Sequence, residues 1–182
     1  MRRIAVLSAG ALVVGLVAPS SALAAEQDSR QDRWIAVEDA FAAVLPDGET
    51  FTDDDPPMEG PEEDFVPPVG TRLFLSEVLY ETDDGTTPGD EVGRTHIECS
   101  AQVVPESFLC DIVFVVDDSQ LHGTVHADFG ATHPEEPLQL DIAVTGGTGD
   151  YAGASGVVSL LDITDVDDPD AAVTTLYEAD LA

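Results

Sequence analysis

From Gly70 onward the chain alternates apolar and polar residues with period two, in runs of strand length separated by turn signals, and this pattern constrains the fold more than any other feature. The runs are 71–81, 92–104, 108–116, 120–129, 138–145, 156–163 and 173–181. Between them stand Asp83-Asp84-Gly85, Pro105, Asp117-Asp118, a segment with His133-Pro134 and Pro137, the glycines 146–149, and an acidic stretch holding Pro169. Nothing in this half reads as a helix. Seven strands joined mostly by short loops predict an antiparallel meander, and closing it removes the exposed edges. The expected fold is therefore all-β, a seven- to eight-stranded antiparallel barrel, with an eighth strand available around 49–52.

Alternation also assigns faces, because successive side chains of a strand point to opposite sides. In the second run Ile97, Cys99, Ala101 and Val103 share one side, against Arg94, His96, Glu98, Ser100 and Gln102. The third places Phe108, Cys110, Ile112, Phe114 and Val116 together. Leu121, Val125, Ala127 and Phe129 follow in the fourth, and Leu138, Leu140, Ile142 and Val144 in the fifth. Pairing Cys99 with Cys110 sets a register in which Val103 faces Glu106 across a two-residue loop, Val104-Pro105. That register brings both apolar faces together, so disulfide and hydrophobic pattern agree. An apolar interior follows.

The first 69 residues differ in character. Arg2 and Arg3 precede an apolar run over 4–18, and Ala22-Leu23-Ala24 supplies an A-x-A cleavage pattern, which together read as a signal peptide over 1–25. The run is short for a membrane span. Export to an oxidising compartment favours one disulfide for the two cysteines, which are in any case half a zinc site. Residues 26–69 are acidic and proline-rich, a poor core former. Within them Trp34, Val37, Phe41 and Val44 recur at helical spacing, predicting a short amphipathic helix over 32–45 before Pro46-Asp47-Gly48. Its apolar stripe would either plug the following barrel (70–182) or pack on its outside. Across the chain 37 acidic residues oppose 6 basic ones, for a formal charge of -31, which excludes nucleic-acid phosphate as a partner. The plain meaning of such a surface is strong hydration and self-repulsion relieved by salt.

The stretch Ile142-Ala143-Val144-Thr145-Gly146-Gly147-Thr148-Gly149-Asp150-Tyr151-Ala152-Gly153-Ala154-Ser155-Gly156 resembles the signature of allene oxide cyclases and dirigent proteins, in which a strand ends in Gly-Gly-Thr/Ser-Gly, an aromatic follows, and Gly-Ala-x-Gly opens the next strand. Val92-Gly93-Arg94 resembles the start of their second strand, Leu73 to Tyr80 with Gly85 their first long strand and turn, and the cysteine pair resembles exported bacterial relatives. The resemblance implies an eight-stranded barrel with a hydrophobic cavity, often a homotrimer, acting on lipid-derived or phenolic small molecules as an isomerase or cyclase. In physical terms Gly146, Gly147 and Gly149 permit positive φ in a tight turn, while Gly153 and Gly156 allow bulges. The dinucleotide spelling Gly147-x-Gly149-x-x-Ala152 lacks the helix that a pyrophosphate site requires.

The resemblance implies action largely by positioning a reactive intermediate, with a carboxylate or water assisting. Leu73, Leu75, Glu77 and Leu79 alternate on one side of the first long strand, and Phe74, Ser76, Val78 and Tyr80 on the other. If the leucines face inward, Glu77 is a carboxylate in an apolar cavity, with a pKa raised by desolvation and suited to acid or base work. If the aromatics face inward, Glu77 meets solvent. The expected cavity lining is Leu73, Leu75, Leu79 and Ile97, then Ile112, Phe114 and Val125, then Phe129, Leu140 and Ile142. Arg72 and Arg94 fall on the opposite faces, unlike the basic cavity residues that the dirigent resemblance implies. The segment before Gly70 does not align with the allene oxide cyclase strand that carries the catalytic carboxylate.

No metal and no cofactor are expected. His122 and His126 share a strand face four residues apart, roughly 13 Å, too far to share one zinc ion, and His96 lies two strands away. The acidic run at 165–170 lacks the sixth-position Gly and twelfth-position Glu of a calcium loop. Two functions remain: a secreted barrel that directs the cyclisation or stereochemistry of an apolar small molecule, and a non-catalytic barrel that binds an apolar ligand or serves a structural role.

Overall fold

The computed structural model describes residues 30–53, 67–129, 137–166, 168 and 171–182. The signal peptide and its cleavage pattern, and the Pro56-Pro57 stretch, lie outside the described residues. Nine strands follow in order: β1 (Arg30–Val44), β2 (Thr50–Thr52), β3 (Arg72–Glu81), β4 (Glu91–Ala101), β5 (Ser107–Val116), β6 (Ser119–Asp128), β7 (Gln139–Thr148), β8 (Gly156–Asp162) and β9 (Thr174–Leu181). Each pairs antiparallel with its neighbour in the sheet order β2-β1-β3-β4-β5-β6-β7-β8-β9, and β1 pairs also with β9. Eight strands thus close a barrel, with β2 as a short extra strand on the upper half of β1. Closure leaves the ring without an open edge.

The helix expected over 32–45 is replaced by the 15-residue strand β1. It joins the ends of the meander, pairing Trp34 to Val37 with Glu81 to Val78 of β3 on one side and with Tyr177 to Thr174 of β9 on the other. Two features gave this strand a helical spelling. Trp34, Ile35 and Ala36 are all buried, so the first half does not alternate. A β-bulge between Glu38 and Ala40 then stretches the inward spacing from Glu38 to Phe41 to three residues. Barrel closure consequently comes from ahead of Gly70, whereas the 49–52 segment, expected as the eighth strand, yields only β2.

Cys99 and Cys110 are direct partners on β4 and β5 and are joined by a disulfide with a Cα–Cα separation of 4.0 Å. The register is the one expected, but the turn is not Val104-Pro105. Ser107 N–H donates to the Val104 carbonyl at 3.3 Å, and Glu106 takes φ 59°, so the turn centres on Pro105-Glu106 with proline supplying the fixed φ of its first position.

The glycine-rich stretch does two separate things. Gly149 adopts φ 60° and opens a 3-10 turn, Gly149–Tyr151, that carries Tyr151 back under the barrel. Gly147 does not have the positive φ expected of it; a Cβ there would lie 2.6 Å from the Gln120 carbonyl oxygen and from Tyr151 Cβ, so it is needed for close approach. Both glycines serve to seat Tyr151, which is buried and whose hydroxyl donates to Asp32 at 3.1 Å.

Candidate functional site

Strand direction sorts the interior into two ends. At the end where β1 starts and β3 stops, Trp34, Leu79, Phe114, Leu121, Ile142, Val158 and Tyr177 are buried together. Trp34 stacks on Phe114 with centroids 5.6 Å apart, and Phe114 meets Tyr177 edge-on at 5.0 Å, which fills the lumen. At the other end a cavity of about 200 Å³ remains open. Its wall is Leu73, Leu75, Ile97, Ile112, Val125, Phe129 and Leu140 from the expected set, with Phe41, Leu138, Leu160, Val173, Thr175 and the Cys99–Cys110 bridge. Leu79, Phe114 and Ile142 face the same lumen but lie below the cavity, in the packed plug, and so do not line it. The large side chains that β1 and β9 contribute, Trp34 and Tyr177, are what fill that end.

Glu77 sits where the two ends meet. The leucines of β3 do face inward, and Glu77, one step above Leu79, is 4% exposed. Thr95 Oγ1 donates to Glu77 Oε2 at 2.5 Å and the Tyr177 hydroxyl donates to the same oxygen at 2.8 Å, while the Thr175 hydroxyl also acts to favour its ionised form. Burial raises the Glu77 pKa above its ordinary 4.5, and the Asp39 charge adds to this, against the three hydroxyls that favour the ionised form. Burial, and then the neighbouring carboxylate, push Tyr177 well above its ordinary value, so it stays a proton donor.

A second carboxyl accompanies it. Glu38 of β1 is the direct cross-strand partner of Glu77 and lines the same cavity. Its pKa is also raised, by burial first and then by the charges of Asp53, Glu77 and Asp39. The helical spelling of β1 hid this residue. Thr95 and Tyr177 were within reach of parity, since Thr95 is two residues before Ile97 and Tyr177 four after Val173. The arrangement can hold a small apolar molecule of about one or two rings, by comparison with cavities of about 150 Å³ that take benzene, and can exchange a proton with it at Glu77.

The three described histidines stay off the cavity wall, with His126 Nε2 2.7 Å from Ser107 Oγ. Arg72 and Arg94 are on the outside, paired with Glu98 and Asp39.

No protein-family model matches the chain, and no curated protein matches it in sequence. Solved structures do match its shape. A pyocyanin demethylase is 22% identical with a TM-score of 0.50, over 84% of this chain and 100% of that one. A pterocarpan synthase dirigent protein, 13% identical, gives a TM-score of 0.52 over 84% of each chain. An exo-specific intermolecular Diels-Alderase, 14% identical, gives 0.52 over 84% of this chain and 96% of the other. The fold is the dirigent-type barrel. In this chain the barrel holds the plug built from Trp34, Phe114 and Tyr177, the disulfide in the cavity wall, and the carboxyl pair at the cavity floor.

Proposed function

We propose that this protein is an exported, dirigent-like barrel that holds an apolar small molecule in the open half of its lumen and directs its cyclisation or stereochemistry, with Glu77 exchanging the proton. The observation that carries the reading is the buried Glu77 carboxyl, bonded by Thr95 and Tyr177 at the floor of an otherwise apolar cavity. A carboxyl so placed has no packing role that a leucine would not serve better, since its desolvation is a cost. Supporting the reaction class, structural neighbours include a pterocarpan synthase dirigent protein and a Diels-Alderase, whose names describe ring formation. The activity would be an isomerase or cyclase type in which geometry does most of the work. Export by the signal peptide and assembly as a homotrimer belong to the same reading. The alternative, a non-catalytic ligand-binding barrel, uses the same cavity without proton exchange.

A generic probe separates the two readings. In 5-nitrobenzisoxazole a base removes the ring C–H proton, the N–O bond breaks, and a cyanophenolate is released. If Glu77 is a working base, kcat/KM rises with pH to a plateau whose midpoint lies above the ordinary glutamate range, and Glu77→Gln lowers it about a hundredfold. Binding of 2-naphthol without any Glu77-dependent turnover of the probe would leave the binding barrel as the function. Failure of both would remove the lumen as a site.

A further inference from the structure

The open half of the lumen is apolar in its walls but carries charge of one sign only. Three carboxyl side chains line it: Glu38, Glu77 and Asp162. Glu38 and Glu77 stand directly opposite each other on β1 and β3, an arrangement of like charges that disfavours the sheet. Among the described residues no cation offsets them. The chain contains no lysine. The four arginines of the described residues are held by carboxylates away from the lumen: Arg30 by Asp32, Arg33 by Glu178, Arg72 by Glu98 and Arg94 by Asp39. No arginine or histidine is among the described residues that line the cavity.

The groups that act on Glu77 come from every neighbouring strand, and none is positive. β1 contributes the Glu38 carboxyl and the charge of Asp39; β4 contributes the Thr95 hydroxyl; β9 contributes the hydroxyls of Thr175 and Tyr177. Hydroxyls satisfy a carboxylate's lone pairs without neutralising its charge, and a buried charge without a counter-charge is costly. No group of three His, Cys, Asp or Glu side chains placed to hold a metal ion occurs among the described residues. The missing positive charge is therefore one that an organic ligand can bring.

We propose that the lumen selects a small amphiphilic cation, an apolar body of one or two rings bearing a positively charged nitrogen that lies between Glu38 and Glu77. The inference rests on the reading of the lumen as a ligand cavity and adds the ligand's charge. The leucine and isoleucine wall takes the ring body, and the carboxyl pair at the floor takes the nitrogen.

Three probes of one size test it by calorimetric titration of the disulfide-bonded mature chain at neutral pH and 0.15 M salt: 1-naphthylmethylamine, 1-naphthalenemethanol and 1-naphthaleneacetate. The amine should bind one per chain and at least tenfold tighter than the alcohol, and the acetate should not bind. Glu38→Gln and Glu77→Gln, each shown folded by its melting curve, should cut the amine's advantage at least threefold without weakening the alcohol's binding. In the unaltered protein the amine's affinity should fall as the pH is lowered through protonation of the carboxyl pair, while the alcohol's does not fall. Equal binding of amine and alcohol would overturn the proposed charge preference and leave the lumen as a ligand cavity. An amine advantage that survives both substitutions would place the cation on the acidic outer surface and overturn it as well. No binding by any probe would overturn both this inference and the cavity reading beneath it.

Discussion

The two ends of this barrel are made from the same alternating pattern and reach opposite outcomes. Below Glu77 the lumen is filled by Trp34, Phe114 and Tyr177, each within aromatic contact of the next. Above it the inward positions hold aliphatic side chains, with Phe41 and Phe129 among the wall residues, and about 200 Å³ remains unfilled. Side-chain size, not periodicity, thus decides which part of an eight-stranded lumen is core and which is cavity. The division also explains the placing of the carboxyl: a buried Glu77 can be approached by a ligand only where the plug stops.

The sharpest way to break that comparison is truncation at each end. Phe114→Ala should cost about 3–5 kcal/mol in denaturant unfolding, as for a fully packed aromatic. Leu75→Ala, on the cavity wall, should cost only about 1–2 kcal/mol, because a side chain beside an open cavity has fewer contacts to lose. Equal losses would mean the upper half is as tightly packed as the lower. Next in size is the Cys99–Cys110 bridge, which spans 11 residues in sequence and lies in the cavity wall. Reduction should cost about 2–3 kcal/mol. The accompanying loss of amide protection should concentrate in the cavity halves of β4 and β5, with the plug strands little changed.

A smaller effect comes from Glu77 itself. Its folded-state pKa is raised, so the folded protein holds this proton more tightly than the unfolded chain does. The associated stability is complete below the ordinary value of 4.5 and is lost as the pH rises through the folded-state value. Glu77→Gln should flatten that decline and, above it, raise the melting temperature by roughly 2–4 °C. A steeper decline in the variant would show that the carboxylate is stabilised by its hydroxyl partners more than burial destabilises it. The smallest expected change is with salt. Shortening the Debye length from roughly 30 Å at 0.01 M to 8 Å at 0.15 M should raise the melting temperature by relieving surface repulsion, while the difference between Glu77→Gln and the unaltered protein stays constant. A difference that shrinks with salt would place Glu77 in contact with solvent.

What was legible in the sequence divides along similar lines. From β3 to β9 the period-two pattern, the turn residues and the cysteine register fix strands and faces, because one face of each strand is apolar and the other polar. The same parity places Glu77 with the β3 leucines, but parity alone cannot say which face is the lumen. That was settled by closure, and closure depends on β1. Its strand character was hidden where Trp34, Ile35 and Ala36 are all buried, and its spacing was altered by the bulge after Glu38. Glu38 was lost with it, and so was the carboxyl pair. The cavity's depth was equally out of reach: Leu79, Phe114 and Ile142 carry the same inward signature as the lining residues, and only three-dimensional packing separates plug from wall.

The central claim is that Glu77 is a desolvated carboxyl at the floor of an accessible apolar lumen. Its most direct test is a pH titration of the Glu77 side-chain carboxyl carbon by nuclear magnetic resonance, assigned by its disappearance in Glu77→Gln. The expected midpoint lies clearly above the ordinary 4.5 and moves further when 1-naphthalenemethanol fills the cavity and excludes water. A midpoint at or below the ordinary value, unmoved by the ligand, would contradict it.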